Sequence, residues 1–240
     1  IKKDILDLEL EIEKDEQTSI ICGSIDDKVD LSITLKPTSI EWISEIPENW
    51  VLKRLKYEAI IQGGYAFKSD EFVEEGTPII RIGDIALEIN LDNCKRTSEI
   101  NIPERYKLQK NDTLIALSGA TVGKMCFIKE DMDAYINQRV ARVTNGSKWL
   151  HHILNSDFFI KQIELTAGGS AQENISTNYI GNFFIPIPPA EERIAIEKYL
   201  DEKTIKIEKV IRNKQKLVCL LKEYNTAIIN TIGTGKIKAI

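Results

Sequence analysis

The middle of the chain alternates short apolar runs with glycine, asparagine and aspartate turns. Between Trp50 and Pro189, apolar segments of strand length recur, and each is closed by turn-forming residues. The clearest segments are TPIIRIGDIAL, DTLIALS, KMCFIKE, RVARVT and NFFIPIP. Residues 149–165, WLHHILNSDFFIKQIEL, follow the helical period instead. The pattern therefore predicts a mixed α/β domain, that is, an α+β fold built on a mixed sheet.

A different pattern begins at Ala190, after which no glycine or proline occurs until Gly233. Apolar side chains recur there at alternating steps of four and three, the spacing of a coiled-coil seam. A helix of this length extends for roughly 60 Å at about 1.5 Å per residue. The apolar seam positions are Leu200, Ile207, Ile211, Val218, Leu221, Ile228 and Ile232. We predict one long coiled-coil helix; the alternative, a helix packed along its own domain, accounts for a few turns only.

The first 38 residues form a third region. Ile5, Leu8 and Ile12 have helical spacing among charged residues, and a polar stretch follows up to Pro37. This pattern predicts the end of a helix and a linker over 1–38, then a domain over 39–189, then the long helix and a tail over 190–240. The first residue is isoleucine, so we expect a fragment, a processed chain or further residues upstream.

The net charge of −5 argues at first against a nucleic-acid partner, but it is unevenly distributed. Residues 1–50 hold 5 basic and 13 acidic side chains, whereas residues 191–240 hold 11 and 7. A nearly neutral middle region can still present a basic face. No apolar run approaches the length of a membrane span, and no signal sequence is present, so we expect a cytoplasmic protein. The four cysteines form no CxxC pair, which disfavours a zinc site.

Four loops of the middle region combine glycine with polar and basic side chains: 63–72, 117–125, 135–140 and 168–176. Glycine allows close backbone approach, and Gln, Asn and Arg can make bidentate contacts with base edges. Each loop taken alone is more often an ordinary turn than a binding site. The candidate DNA-binding side chains are Lys68, Ser69, Arg81, Ser118, Lys124, Asn137, Gln138, Arg139, Ser170, Gln172 and Asn174.

Two of these basic residues have different expected roles. Lys124 follows a glycine turn, so we assign it to a phosphate. Arg139 lies beside Asn137 and Gln138, so we assign it to guanine. The alternative for Arg139 is an ion pair with Asp131 or Asp133.

The search for catalytic motifs yields no candidate site. GATVGKM resembles a phosphate-binding loop, but its glycine spacing is short by two and no Ser or Thr follows Lys124. His151 and His152 lie in an apolar helical segment, and the acidic residues show no metal-binding pattern. Three classes remain open: a DNA-recognition protein without catalysis, a coiled-coil scaffold that binds no DNA, and, less favoured, a nuclease.

Eight segments in order resemble the DNA specificity subunit of type I restriction-modification systems. They are SIEWISEIPENWVLKRLK, GYAFKSDEF, PIIRIGDI, DTLIALSGATVGKMCFI, AYINQRVARV, GGSAQENIS, IPIPPAEERIAI and LKEYNTAIINTIGTGKI. The resemblance covers about residues 39–237 and implies one target-recognition domain followed by a conserved helix. It also implies that GGSAQENIS faces DNA and that Pro186, Pro188 and Pro189 stop the last strand.

The resemblance further implies the partners. They are double-stranded DNA, the methylation and restriction subunits, and a second recognition unit in the same chain or in a homodimer, with no membrane. The long helix would be the spacer of a bipartite DNA site. S-adenosylmethionine, ATP and magnesium are expected on the partner subunits, and no cofactor, metal or catalytic residue on this chain.

Overall fold

The computed structural model describes residues 33–86, 88–98, 102–145, 147–167 and 174–234. The chain divides into two compact units. One covers residues 30–197, and the other contains the long helix from Lys198 onward. The predicted mixed sheet with a long C-terminal helix is confirmed.

The central sheet has four antiparallel strands in the order β4-β11-β8-β9. They are β4 (Ile60–Gly63), β8 (Thr113–Ala116), β9 (Met125–Phe127) and β11 (Val140–Thr144). Alternate residues of this sheet enter two different hydrophobic cores. Ile115 packs with Trp149 and Phe159 in the first core. Leu114 packs with Ile128 and Ile136 in the second, so the sheet is covered on both faces.

A second four-stranded sheet and two strand pairs complete the β-structure of the described residues. The second sheet has the order β10-β6-β7-β5, and β10 and β6 are parallel. Its strands are β5 (Phe72–Val73), β6 (Thr77–Ile80), β7 (Lys95–Thr97) and β10 (Tyr135–Ile136). The pairs are β1 (Leu35–Ile40) with β2 (Ile43–Pro47), and β3 (Val51–Arg54) with β12 (Phe184–Ile187). Strand β1 therefore begins inside the stretch that the sequence pattern suggested as a linker.

Three short helices pack around the first core: α1 (Lys148–Leu154), α2 (Asp157–Ala167) and α3 (Thr177–Asn182). The segment with a single helical period thus forms two helices. The side chain of Asn155 donates to the His151 carbonyl at 2.9 Å and ends α1. The Ser156 carbonyl accepts from the Phe159 amide at 3.0 Å and begins α2. Local polar bonds therefore interrupt a continuous apolar pattern.

The last strand, β12, corrects one prediction about the prolines. Pro186 lies inside β12, opposite Leu52 of β3, and does not stop the strand. A strand with a single partner tolerates proline because half of its backbone groups point away from the ladder. Pro188 and Pro189 follow the strand, and α4 (Ala190–Gly233) begins directly after them.

The first turns of α4, up to Glu197, belong to the unit that covers residues 30–197 and are held by side-chain contacts within it. Trp50 Nε1 donates to the Glu192 carboxylate at 2.8 Å. Glu197 accepts from the Trp149 amide at 3.0 Å, and the Arg193 guanidinium lies 4.7 Å from the centre of the Trp149 ring. These contacts join the start of α4 to Trp50 and to the start of α1.

Helix α4 contains 44 residues, of which Ile211 and Val218 are buried. Both are seam positions. Leu200, Ile207, Leu221 and Ile228, which are also seam positions, are half-buried. Ile232 is 45% exposed. Among the residues that the structure describes, no helix is long and apolar enough to cross a membrane.

Candidate nucleic-acid interface

The strand register of the central sheet brings separate loops to one end of the sheet. Val140 pairs with Ala116, and Ala141 pairs with Gly63, so three strands have matching ends. The chain leaves β4 and β8 and enters β9 and β11 at this same end. The loops that follow Gly63, follow Ala116 and precede Val140 therefore emerge side by side.

Backbone hydrogen bonds connect the loop after β4 to the loop before β11. The Tyr65 amide donates to the Ile136 carbonyl at 2.8 Å, and the Gln138 amide donates to the Tyr65 carbonyl at 2.9 Å. A Cβ at Gly64 would collide with the carbonyl oxygens of Ile136 and Asn137. Only glycine permits this approach, so Gly64 is a determinant of the site that the sequence analysis did not single out. The signal available was the Gly63-Gly64 pair at the end of an apolar run.

The loop before α3 joins the same group. The Leu117 amide donates to the Arg139 carbonyl at 2.8 Å, and the Ile175 amide donates to the Leu117 carbonyl at 2.9 Å. Ser118 and Asn174 form an isolated antiparallel bridge. We refer to residues 64–65, 117–124, 137–139 and 174–175 as the loop cluster.

The turn between β8 and β9 is shaped by two glycines with positive φ. Gly119 has φ 70° and Gly123 has φ 81°, which side chains with a Cβ rarely adopt. The Gly123 amide donates to the Ala116 carbonyl at 3.0 Å, and the Ala116 amide donates to the Lys124 carbonyl at 2.9 Å. GATVGKM is therefore the turn of a hairpin, and it places the exposed Lys124 side chain at the end of the sheet.

Most candidate side chains of the loop cluster face solvent. Gln138, Arg139 and Asn174 are exposed, and Asn137 is half-buried. Asn137 Oδ1 accepts from the Arg139 amide at 3.2 Å, which holds the turn before β11. The cluster thus presents amide and cationic groups on a backbone fixed by hydrogen bonds.

The alternative ion pair for Arg139 is not formed among the residues that the structure describes. Asp133 pairs with Lys107 at 2.8 Å. Asp131 accepts from the Lys110 amide at 2.9 Å. Both carboxylates have other partners, which leaves the guanidinium of Arg139 available to a ligand.

The remaining candidates are less accessible or lie at the edge of the cluster. Ser118 Oγ is buried, without a hydrogen-bond partner in the described part of the chain. Arg81 pairs with Asp84 at 3.2 Å, directly after the Ile80 carbonyl that accepts from the Asn137 amide. Lys68 and Ser69 are exposed and belong to the loop that follows Tyr65. Ser170 and Gln172 lie outside the described residues.

The opposite end of the central sheet has different electrostatics. Asp112, which is fully buried, lies 3.5 Å from Arg142, and Arg142 also donates to the Lys107 carbonyl at 2.7 Å. Burial raises the pKa of Asp112 above its usual value of 3.8, although the Gln109 amide and Arg142 act against this rise. We call Lys107, Asp112, Asp131, Asp133 and Arg142 the far end of the sheet.

No group of three or more metal-ligating side chains occurs within the described ranges of the chain.

Comparisons with known proteins identify the family. Residues 47–217 match the model of the type I restriction modification DNA specificity domain. The chain is 30% identical over 208 residues to the type I restriction enzyme MjaVIII specificity subunit of Methanocaldococcus jannaschii. That match covers 82% of this chain and 48% of the relative. The chain is also 23% identical over 209 residues to the EcoBI specificity subunit of Escherichia coli, covering 83% of this chain and 42% of that protein.

Solved structures show the same fold. A chain from a study of complex assembly and conformational transition of the type I R-M system is similar with a TM-score of 0.59 and 20% identity, covering 96% of this chain and 53% of that chain. The HsdS subunit from Thermoanaerobacter tengcongensis is similar with a TM-score of 0.54 and 20% identity, and the match covers 96% of this chain and 51% of that chain. The present chain spans about half the length of the relatives it matches.

Proposed function

Because this chain belongs to the type I restriction-modification DNA specificity family, we propose that its loop cluster binds double-stranded DNA and recognises one half of a bipartite site. The observation that carries the proposal is the meeting of loops 64–65, 117–124, 137–139 and 174–175 at one end of the central sheet. Residues far apart in sequence thereby form one polar surface.

The chemistry of this surface fits two kinds of DNA contact. Arg139 and Gln138 carry planar donor groups suited to base edges in the major groove. Lys124 is a flexible point charge at a turn and suits a phosphate. The hydrogen-bonded backbone beneath them lowers the entropy lost on binding, because the loops are already ordered.

The chain would act as the recognition component of a larger assembly. Helix α4 would be the spacer that fixes the distance to a second recognition unit, supplied by the same polypeptide or by a second copy. Methylation and restriction subunits, holding S-adenosylmethionine, ATP and magnesium, would supply the chemistry, so that no catalytic group is needed here. The proposed compartment is the cytoplasm, where such complexes meet DNA.

Selection from a pool of randomised duplexes tests the recognition proposal. The purified chain is incubated with the pool, and the retained duplexes are sequenced. We expect enrichment of a short motif and tighter binding to it than to random duplex. Retention without any enriched motif would contradict sequence recognition, and absence of retention at low salt would favour a scaffold.

The spacer proposal has a separate test on the helix seam. The double variant Ile207→Asp, Ile211→Asp places two charges on the seam and should abolish association with a second helix. The control Ile205→Asp, Val210→Asp changes two positions that are 66% and 50% exposed. Light scattering should show a lower mass for the seam variant alone, with the melting of the recognition unit retained. The same mass for the wild type and the seam variant would contradict the coiled coil.

A further inference from the structure

Two cations outside the loop cluster converge on one neutral oxygen. Arg54 Nη1 donates to Asn182 Oδ1 at 2.9 Å, and Lys56 Nζ donates to the same oxygen at 2.8 Å. The two nitrogens are therefore less than about 6 Å apart, since each lies within 3 Å of the shared oxygen. Two positive charges at this distance repel each other, and an amide oxygen does not neutralise them.

No carboxylate of the described residues pairs with either cation. The nearby Glu58 pairs with Lys53 at 2.7 Å. Arg54 and Lys56 are both exposed. An anion that replaced or joined the shared amide oxygen would remove the repulsion between them, so the pair is suited to bind an anion.

The close packing of α3 holds this pair in place. A Cβ at Gly181 would lie 3.2 Å from Ile61 Cδ1 and 3.4 Å from Lys56 Cβ. Asn182 follows directly and reaches both cations. The arrangement therefore depends on tertiary packing between segments that are distant in sequence, which is why the sequence analysis did not single it out.

Helix α3 connects this pair to the loop cluster. Its first residue, Thr177, lies against Gly63, with the threonine methyl 3.7 Å from where a Cβ of Gly63 would be. From Thr177 to Asn182 the helix rises about 7.5 Å at 1.5 Å per residue. One turn of a DNA duplex spans about 34 Å, so a duplex on the loop cluster has backbone within reach of the pair.

The segment that leads from the loop cluster through α3 to Asn182 carries no charge. Residues 174–190 contain no charged side chain. Tyr57 is 71% exposed and Tyr179 is 59% exposed. Tyrosine hydroxyls are frequent donors to DNA phosphates.

We propose that Arg54 and Lys56 form a phosphate-binding pair that contacts the DNA backbone beside the base pairs recognised by the loop cluster. This proposal rests on the proposed function, because the pair would bind the same duplex as the loop cluster. It adds affinity that is independent of sequence and fixes how the duplex lies along α3.

The test compares the double variant Arg54→Gln, Lys56→Gln with a charge-matched control, Lys110→Gln, Lys129→Gln, at the opposite end of β8 and β9. Binding to the selected motif and to a random duplex is measured at several salt concentrations. The slope of log affinity against log salt should fall by about 0.9 units for the first variant if the two cations share one phosphate, and by about 1.8 units if they contact two, at about 0.9 per phosphate. The control should keep the wild-type slope, and Arg54→Lys, Lys56→Arg should restore most of it.

Three outcomes would contradict phosphate binding by Arg54 and Lys56. They are an unchanged salt slope in the double variant, an equal fall of the slope in the control, and a loss of affinity confined to the selected motif. The single variant Lys56→Gln, expected to lose about half as much slope, replaces the double variant if that chain does not fold. Failure of the recognition proposal is seen separately. In that case the wild type shows no motif preference, whatever the salt slope of the variants.

Discussion

Cations occur at both ends of the central sheet, but the two ends neutralise them differently. At the far end, Arg142 pairs with the buried Asp112 at 3.5 Å, and Lys107 pairs with Asp133 at 2.8 Å. At the loop cluster, Lys124 and Arg139 are exposed, and no ion pair forms with either among the described residues. The first arrangement neutralises charge within the domain, and the second leaves charge available to a ligand.

This difference shows why net charge is a poor guide to partners in this chain. The acidic total of −5 includes carboxylates that neutralise cations inside the domain. The surface proposed to bind DNA is the loop cluster, where Lys124 and Arg139 form no ion pair with a carboxylate of the described residues. Substitutions at the far end should therefore affect stability, whereas substitutions in the loop cluster should affect DNA binding.

The largest expected effect is on stability at the far end. Arg142→Leu leaves the Asp112 carboxylate buried without its cation, which should lower the free energy of unfolding by about 3–5 kcal/mol. Arg139→Leu, its counterpart in the loop cluster, should change stability by less than about 0.5 kcal/mol. Urea unfolding of both variants measures the difference, and equal losses would show that the two ends are not distinct.

A smaller effect is expected on base discrimination at the loop cluster. Arg139→Lys keeps the charge but loses the planar donor pair, so the preference for the selected motif should fall by about 1–3 kcal/mol. The control Arg105→Lys changes an exposed arginine beside Lys107. Competition binding with motif and random duplexes measures the preference. Equal losses on both duplexes would remove Arg139 from the base-contacting residues.

Lys124→Ala should have a weaker effect that does not depend on sequence. Loss of the Lys124 charge should lower the slope of log affinity against log salt by about one unit, equally for motif and random duplexes. Lys110→Ala at the opposite end should leave the slope unchanged. A loss for the motif alone would instead place Lys124 against a base.

The smallest expected effect is a pH dependence at Asp112. Its pKa in the folded state is raised by burial, so the folded protein binds this proton more tightly than the unfolded chain does. The contribution of Asp112 to the free energy of unfolding therefore falls as pH rises from 3.8 towards its raised pKa. Asp112→Asn should remove this contribution. The test measures the free energy of unfolding of the wild type and of Asp112→Asn from pH 3.8 upwards. If the two proteins show parallel pH profiles, Asp112 is not the source of this pH dependence.

The sequence predicted the features that depend on local composition. Apolar runs predicted the strands of the sheet. The glycine-rich polar loops predicted Lys124, Gln138 and Arg139 as DNA-binding candidates, and all three side chains are exposed. The seam of α4 followed from spacing alone. Each of these signals lies within a short stretch of chain, where side-chain type and backbone preference act together.

The features that were not predicted depend on contacts between distant residues. The fit of Gly64 against Asn137 follows from strand register. The Asp112 and Arg142 pair, and the shared acceptor Asn182, join residues 30 or more positions apart. Pro186 was misassigned because its tolerance depends on the number of partner strands. A single sequence does not contain these relations in any local pattern.

The most direct test of the account compares the DNA motifs selected by two proteins. The wild type and the variant Gln138→Ala, Arg139→Ala are each incubated with the same randomised duplex pool, and the retained duplexes are sequenced. If the loop cluster recognises bases, the variant retains duplex but loses enrichment at particular positions of the wild-type motif. The same motif with the same enrichment at every position would contradict base recognition by the loop cluster.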